Sequence, residues 1–192
     1  MPDGAPIMNN KPLSFRIRSG CTLLALGATF PAAAEVVSAA ANGCLIRQTL
    51  HLAASPQQVY EALIQPAKWW SSEHTFSGSA TNLTLDARAG GCFCEKLPDG
   101  GSMQHLVVVL AAPGKTLVLR GAMGPFQGQG VAGALTLKMA AAPEGGTDLT
   151  LTYALGGYLS LPGGFAEWSK RADAMFATQI ASLQNFFAKM PH

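Results

Sequence analysis

The chain has 192 residues, of which 48% are hydrophobic and 12% charged, and its formal net charge is +2. A charged share well under the usual ~25% leaves ample apolar material for one core, and the length suits one domain. Outside residues 1–34 no basic run interleaved with aromatic residues is present to hold phosphates, so neither nucleic acid nor an anionic membrane surface is an expected partner.

Lys11, Arg16 and Arg18 precede a short apolar run, Cys21 to Phe30, which is followed by Pro31-Ala32-Ala33-Ala34. Basic, then apolar, then small is the order of a signal peptide. The run is shorter than the ~20 residues that span a bilayer. Residues 1–34 are therefore read as a signal peptide cleaved near Ala34, with Met1 or Met8 as the start, and the mature protein as periplasmic or secreted without a stable membrane anchor. Ten basic and ten acidic residues remain after that cleavage. So do Cys44, Cys92 and Cys94, an odd number in an oxidising space. Cys92 and Cys94 stand two apart on a strand and point the same way, a spacing expected to strain a direct disulfide. Together with His105 they could be imagined around zinc, but no second Cys or His pair stands at metal-site spacing. No metal and no cofactor is expected.

Residues 35–43 are small and read as a linker, so the domain is placed at 44–192. Cys44 to Leu52 alternates as a first strand. Ser55-Pro56-Gln57-Gln58 opens a short helix, with Ser55 as cap, Pro56 at the first helical position and Gln58 completing a capping box. Pro66 interrupts it after Ile64, and a second helical turn carries Lys68, Trp69 and Trp70. Beyond the polar stretch Ser71 to Thr81, alternating strands run from Leu83 to Leu155. Turns are expected at Pro98-Asp99-Gly100-Gly101, at Pro113-Gly114-Lys115 and from Pro143 to Gly146. One long helix, Gly164 to Ala188, repeats Phe165, Trp168, Ala172, Met175, Phe176, Gln179, Leu183 and Phe187 at spacings of three and four. Glu167, Lys170, Arg171, Ser182 and Lys189 take its wet side.

Strand parity lists the inner face. Ile46, Gln48, Leu50 and Leu52 point inward, as do Leu83 and Leu85, then Phe93, Glu95 and Leu97, then Gln104, Leu106, Val108 and Leu110. The later strands contribute Leu117, Leu119, Leu135, Leu137, Met139, Leu149, Leu151, Tyr153 and Leu155. His105 falls on the outward parity with Cys94 and Arg120 and reads as surface.

Gln48, Glu95, Gln104 and Tyr153 are the polar exceptions on an apolar face. A carboxylate among leucines is desolvated, so the pKa of Glu95 is expected to rise, which suits a general acid or base. Glu95 could equally answer a backbone donor in a structural network. Tyr153 and Gln104 each need only one buried partner to be satisfied core residues.

Trp69, Trp70 and His74 stand where a cavity mouth would lie. The expected ligand-binding set is Gln48, Trp69, Trp70, Phe93, Gln104, Leu106, Leu119, Leu137, Tyr153, Trp168, Met175 and Phe176. Glu95, Tyr153 and His74 are the catalytic candidates. Gly128-Gln129-Gly130-Val131-Ala132-Gly133 matches the dinucleotide fingerprint literally, but a strand pattern follows it where that fingerprint requires a helix.

The order of these features resembles the SRPBCC (START-like, helix-grip) superfamily. It runs strand, Ser55-Pro56-x-x-Val59-Tyr60 helix, Trp69-Trp70, Gly90-Gly91-Cys92-Phe93-Cys94-Glu95, Gly100-Gly101 hairpin, Pro113-Gly114-Lys115-x-Leu117, Gly124-Pro125, terminal helix. The polyketide cyclase/dehydrase-like and Hsp90-activator-homologue-like branches are the most similar. The resemblance implies an α+β helix-grip fold: a curved antiparallel sheet wrapped around the long C-terminal helix, two short helices after the first strand, and a hydrophobic cavity between.

On that reading the leading expectation is an exported binding protein for a small hydrophobic molecule such as a lipid, polyketide or aromatic. One alternative is a cyclase, dehydratase or isomerase with Glu95 as acid or base. Another is a protein-interaction module whose interior is filled by its own side chains. The Hsp90-activating role is cytosolic, so a signal peptide argues against that partner.

Overall fold

The computed structural model describes residues 33–190, so all of the expected signal peptide except Ala33 and Ala34 lies outside the described residues. The strands are β1 (Ala33–Ala40), β2 (Gly43–Leu52), β3 (Leu83–Leu85), β4 (Cys92–Lys96), β5 (Ser102–Ala112), β6 (Thr116–Arg120), β7 (Gly130–Ala141) and β8 (Thr147–Tyr158). All pair antiparallel in one sheet of order β1-β2-β8-β7-β6-β5-β4-β3. Strands β3 to β8 are a meander, and β2 closes against β8. The chain between β2 and β3 must therefore pass from one side of the sheet to the other. It does so through α1 (Pro56–Leu63) and short 3-10 turns at Pro66–Lys68, Ser72–His74 and Ala80–Asn82. The long helix α2 (Gly164–Ala188) packs on the inner face, giving the α+β helix-grip architecture.

Local chemistry places these elements. Ser55 Oγ accepts the N–H of Gln58, and Gln58 Oε1 accepts the N–H of Ser55, which completes the capping box. Val59, Tyr60, Ala62 and Leu63 form the buried side of α1. The inner leucines of β6 to β8, Leu117, Leu119, Leu135, Leu149 and Leu151, are all buried. Each contributes on the order of 1.5–3 kcal/mol by leaving water. A one-residue slip would expose the whole set, which pins the register.

Three expectations are corrected. Residues 35–43 are not a linker: β1 pairs with β2 from Ala33↔Thr49 to Ala40↔Gly43. Its small side chains carry no hydrophobic alternation because it is an edge strand held by backbone hydrogen bonds. The second correction lies in β5, where simple parity fails twice. Phe93 pairs with Leu106 but Cys94 pairs with Gln104, so His105 is an extra, bulged residue. The bulge turns His105 inward and Gln104 out to solvent; His105 is 7% exposed. A second irregularity between Val108 and Leu110 turns Leu110 outward, where it is 48% exposed. Third, Cys92 and Cys94 are joined in a disulfide. Their Cα atoms are 5.4 Å apart, within the ordinary disulfide range of roughly 4.4–6.8 Å. Among the described residues Cys44 is the free thiol; it is buried, and burial pushes its pKa up.

Candidate functional site

Between the sheet and α2 lies a cavity of about 340 Å³. The sheet supplies Phe93, His105 and Tyr153, while α2 supplies Trp168, Arg171, Ala172 and Met175. The crossover segment supplies Trp70, His74, Thr75 and Phe76, and the turn after β6 supplies Met123, Gly124, Pro125 and Phe126. Phe76 is 53% exposed and stands at the rim. Arg171 shares the rim, with its guanidinium 4.8 Å from the Trp168 ring and paired to Glu167. The walls are thus mostly aromatic and aliphatic with a few convergent polar groups, the pattern of a small-molecule site.

The sharpest of those polar groups is His105. Its Nε2 lies 2.9 Å from Glu95 Oε2, and both side chains are buried. Glu95 also accepts the backbone N–H groups of Phe76 and Ser77. Burial alone would raise the carboxyl pKa, but the hydrogen bonds from Ser77, Phe76 and His105 overcome it and hold the group below its ordinary value. The expectation of a raised pKa is therefore corrected: Glu95 answers donors on every side and stays ionised. Since a carboxylate only accepts, the hydrogen of His105 sits on Nε2, leaving Nδ1 as the basic nitrogen. Cys92 and Cys94 bond to each other while His105 turns to Glu95, so the three do not converge on a metal. Among the described residues no cluster of three metal-binding side chains occurs.

Tyr153 is 1% exposed, and its hydroxyl oxygen accepts the N–H of Met123 at 2.9 Å. Burial raises its pKa strongly, so it stays protonated. The ring meets that of Phe176 edge-on at 5.3 Å. His74 is organised from α2: Gln179 Oε1 accepts the N–H of Ser71, which directs the amide nitrogen of Gln179 to His74 Nδ1 at 2.8 Å.

Of the residues singled out in the sequence, Trp70, His74, Phe93, Tyr153, Trp168 and Met175 line the cavity. Glu95 stands behind His105 and not on the cavity surface. Gln48 faces α2 instead, giving its amide N–H to the side chain and backbone carbonyl of Asp173. Trp69 donates to the Ala62 carbonyl and, with Leu137 and Phe176, borders a separate small void of about 30 Å³. Leu106 and Leu119 are plain core. Gln104 is exposed and off the cavity, and its backbone carbonyl accepts from the Gln127 side chain. Sequence reasoning missed His105, Phe76, Met123, Phe126 and Arg171. Nothing in strand parity reveals a bulge, loop residues have no periodicity to read, and Arg171 was read onto the wet side of α2, whose edge borders the cavity mouth.

Residues 53–184 match the family described as Activator of Hsp90 ATPase homolog 1-like protein. The chain belongs to that family, within the SRPBCC superfamily. Similar solved structures include an uncharacterised protein from Rhizobium leguminosarum, with a TM-score of 0.56 and 18% identity over 83% of this chain and 99% of that one. A protein from Chromobacterium violaceum matches with a TM-score of 0.52 and 20% identity, covering 74% of this chain and 96% of that one. The di-domain ARO/CYC BexL from the BE-7585A biosynthetic pathway matches with a TM-score of 0.53 and 16% identity, over 79% of this chain and 52% of BexL. At these identities the likeness establishes the shared fold. No curated protein is significantly similar to the chain.

Proposed function

We propose that this protein binds a small, largely apolar molecule in the cavity between sheet and α2, and that it does so after export to the periplasm or beyond. The observation that carries the reading is the cavity itself: about 340 Å³ walled by Trp70, Phe76, Phe93, Phe126, Trp168 and Met175. An interior filled by its own side chains would leave no such space. The likeness to an ARO/CYC protein supports an aromatic or polyketide-like occupant.

Anilinonaphthalene sulfonate tests the cavity. Micromolar binding, about 8 kcal/mol, is expected, with Ala172→Phe abolishing it by filling the space beside Tyr153 while the fold persists. Probe uptake unchanged in Ala172→Phe would refute the reading.

Export is supported by the basic, apolar and small-residue order of residues 11–34. The Cys92–Cys94 disulfide also suits an oxidising compartment. Intact-mass analysis from the native host should show a start near Glu35, and a cytosolic product retaining Lys11 to Phe30 would overturn export.

A further inference from the structure

A storage cavity has no need of a buried imidazole aimed into it with its far side tied to a carboxylate. We propose that His105 is a general base that takes a proton from the carbon beside a carbonyl group of an apolar substrate. Glu95 is its positioning residue, and Tyr153 donates a hydrogen bond to the carbonyl oxygen. This inference rests on the cavity reading above and adds a reaction to it.

Four observations carry it. The bulge in β5 exists at His105 and swings this side chain into the cavity; bulges re-aim side chains in this way beside active sites. Glu95 holds Nε2–H at 2.9 Å, and among the described residues nothing hydrogen-bonds Nδ1, so the basic lone pair is left for a ligand. The ring lies 5.1 Å from that of Phe93 and 6.0 Å from that of Phe76, an apolar seat in which a fixed charge partner acts strongly. Tyr153 lines the same cavity, and its oxygen is already occupied as an acceptor from Met123. Its own hydrogen meets no protein acceptor among the described residues and is free to donate to a ligand oxygen.

The step balances without a co-reactant. Nδ1 takes the proton, the C–H pair becomes the C=C bond of an enolate, and the carbonyl π pair moves onto the oxygen that Tyr153 holds. The imidazolium, stabilised by Glu95, then returns the proton to the same carbon, giving exchange, or to the far end of a conjugated system, giving isomerisation. A pair that merely anchors the loop at Phe76 and Ser77 would catalyse neither.

The probe is 2-tetralone, an apolar aromatic ketone, with deuterium uptake at its acidic carbon followed by NMR in heavy water. Quenching of Trp70 and Trp168 fluorescence reports its binding in the same samples. The wild-type chain is expected to speed exchange at least tenfold over buffer containing equal free imidazole. His105→Ala should lose that acceleration and regain part of it when millimolar imidazole is added, a rescue that an unfolded variant cannot show. Tyr153→Phe should slow exchange with little loss of binding. Glu95→Gln should lower the plateau of the rate against pH and move its midpoint to lower pH, because the imidazolium loses its counter-charge. The other titratable or charged groups on the cavity wall are His74, Arg171 and Tyr153. Bound tetralone exchanging at the buffer rate, or acceleration surviving in His105→Ala without imidazole, overturns the base. Uptake of anilinonaphthalene sulfonate without any tetralone binding overturns the carbonyl substrate, whereas failure of both probes overturns the cavity reading and this inference with it.

Discussion

Glu95 Oε2 accepts the backbone N–H of Phe76 at 3.1 Å, so a fully buried carboxylate on β4 holds the most exposed aromatic residue of the cavity rim. The same carboxylate accepts from Ser77 and His105. Loop, strand and cavity wall thus converge on one side chain, and its ionisation state matters to all three.

The folded-state pKa of Glu95 lies below its ordinary value, so its stabilising contribution is present above the unfolded pKa of about 4.3 and is lost as pH falls through the folded value. Glu95→Gln should then cost about 1–3 kcal/mol at pH 7, since charge-assisted bonds are exchanged for neutral ones around a buried site. Urea denaturation should show the gap between wild type and variant narrowing below pH 4. A variant as stable as wild type at pH 7 would mean that desolvation outweighs the hydrogen bonds.

Tyr153→Phe retains the edge contact with Phe176 but removes the oxygen that accepts from Met123. An orphaned N–H beneath the turn after β6 should cost about 1–3 kcal/mol. Hydrogen exchange of the Met123 amide should quicken more than that of Leu151 or Leu137. Equal change across the three would argue for a global effect and against a local one.

Gly133, the last glycine of the run that imitates a nucleotide fingerprint, has a packing duty. A Cβ there would meet Gly121 O and Leu155 Cδ2 at 2.7 Å and Ala154 O at 2.9 Å. Two of those atoms are backbone and cannot step aside, so Gly133→Ala should destabilise by about 1–3 kcal/mol. The readout is a lower midpoint of urea unfolding, with no change on adding a dinucleotide to either protein.

The Cys92–Cys94 disulfide closes a very small loop. Chain entropy assigns such a loop only about 1.5 kcal/mol. Cys92→Ala with Cys94→Ala should therefore lower stability modestly and leave the fold intact. Thiol titration of the denatured, unreduced protein beginning at Glu35 should count Cys44 alone. Three reactive thiols would show that the bond does not form.

The inward strand faces, the capped helix at Ser55 and the 25-residue helix Gly164–Ala188 were legible in the residues, because burial of one face imposes periods of two and of three to four. That an antiparallel sheet wraps the terminal helix followed from the resemblance, whereas the order of its strands came from the structure. Parity could not carry the candidate site through β5, where a bulge transfers the inward position from Gln104 to His105. Pairing partners, not residue type, decide where a bulge falls. Glu95 was found on the correct face with the wrong charge behaviour, because Phe76 and Ser77 are 19 and 18 positions away and their backbone donors carry no sequence signature. Edge strand β1 escaped notice for a related reason. Its pairing to β2 is made by backbone groups that every residue has, so alanine and serine served as well as valine.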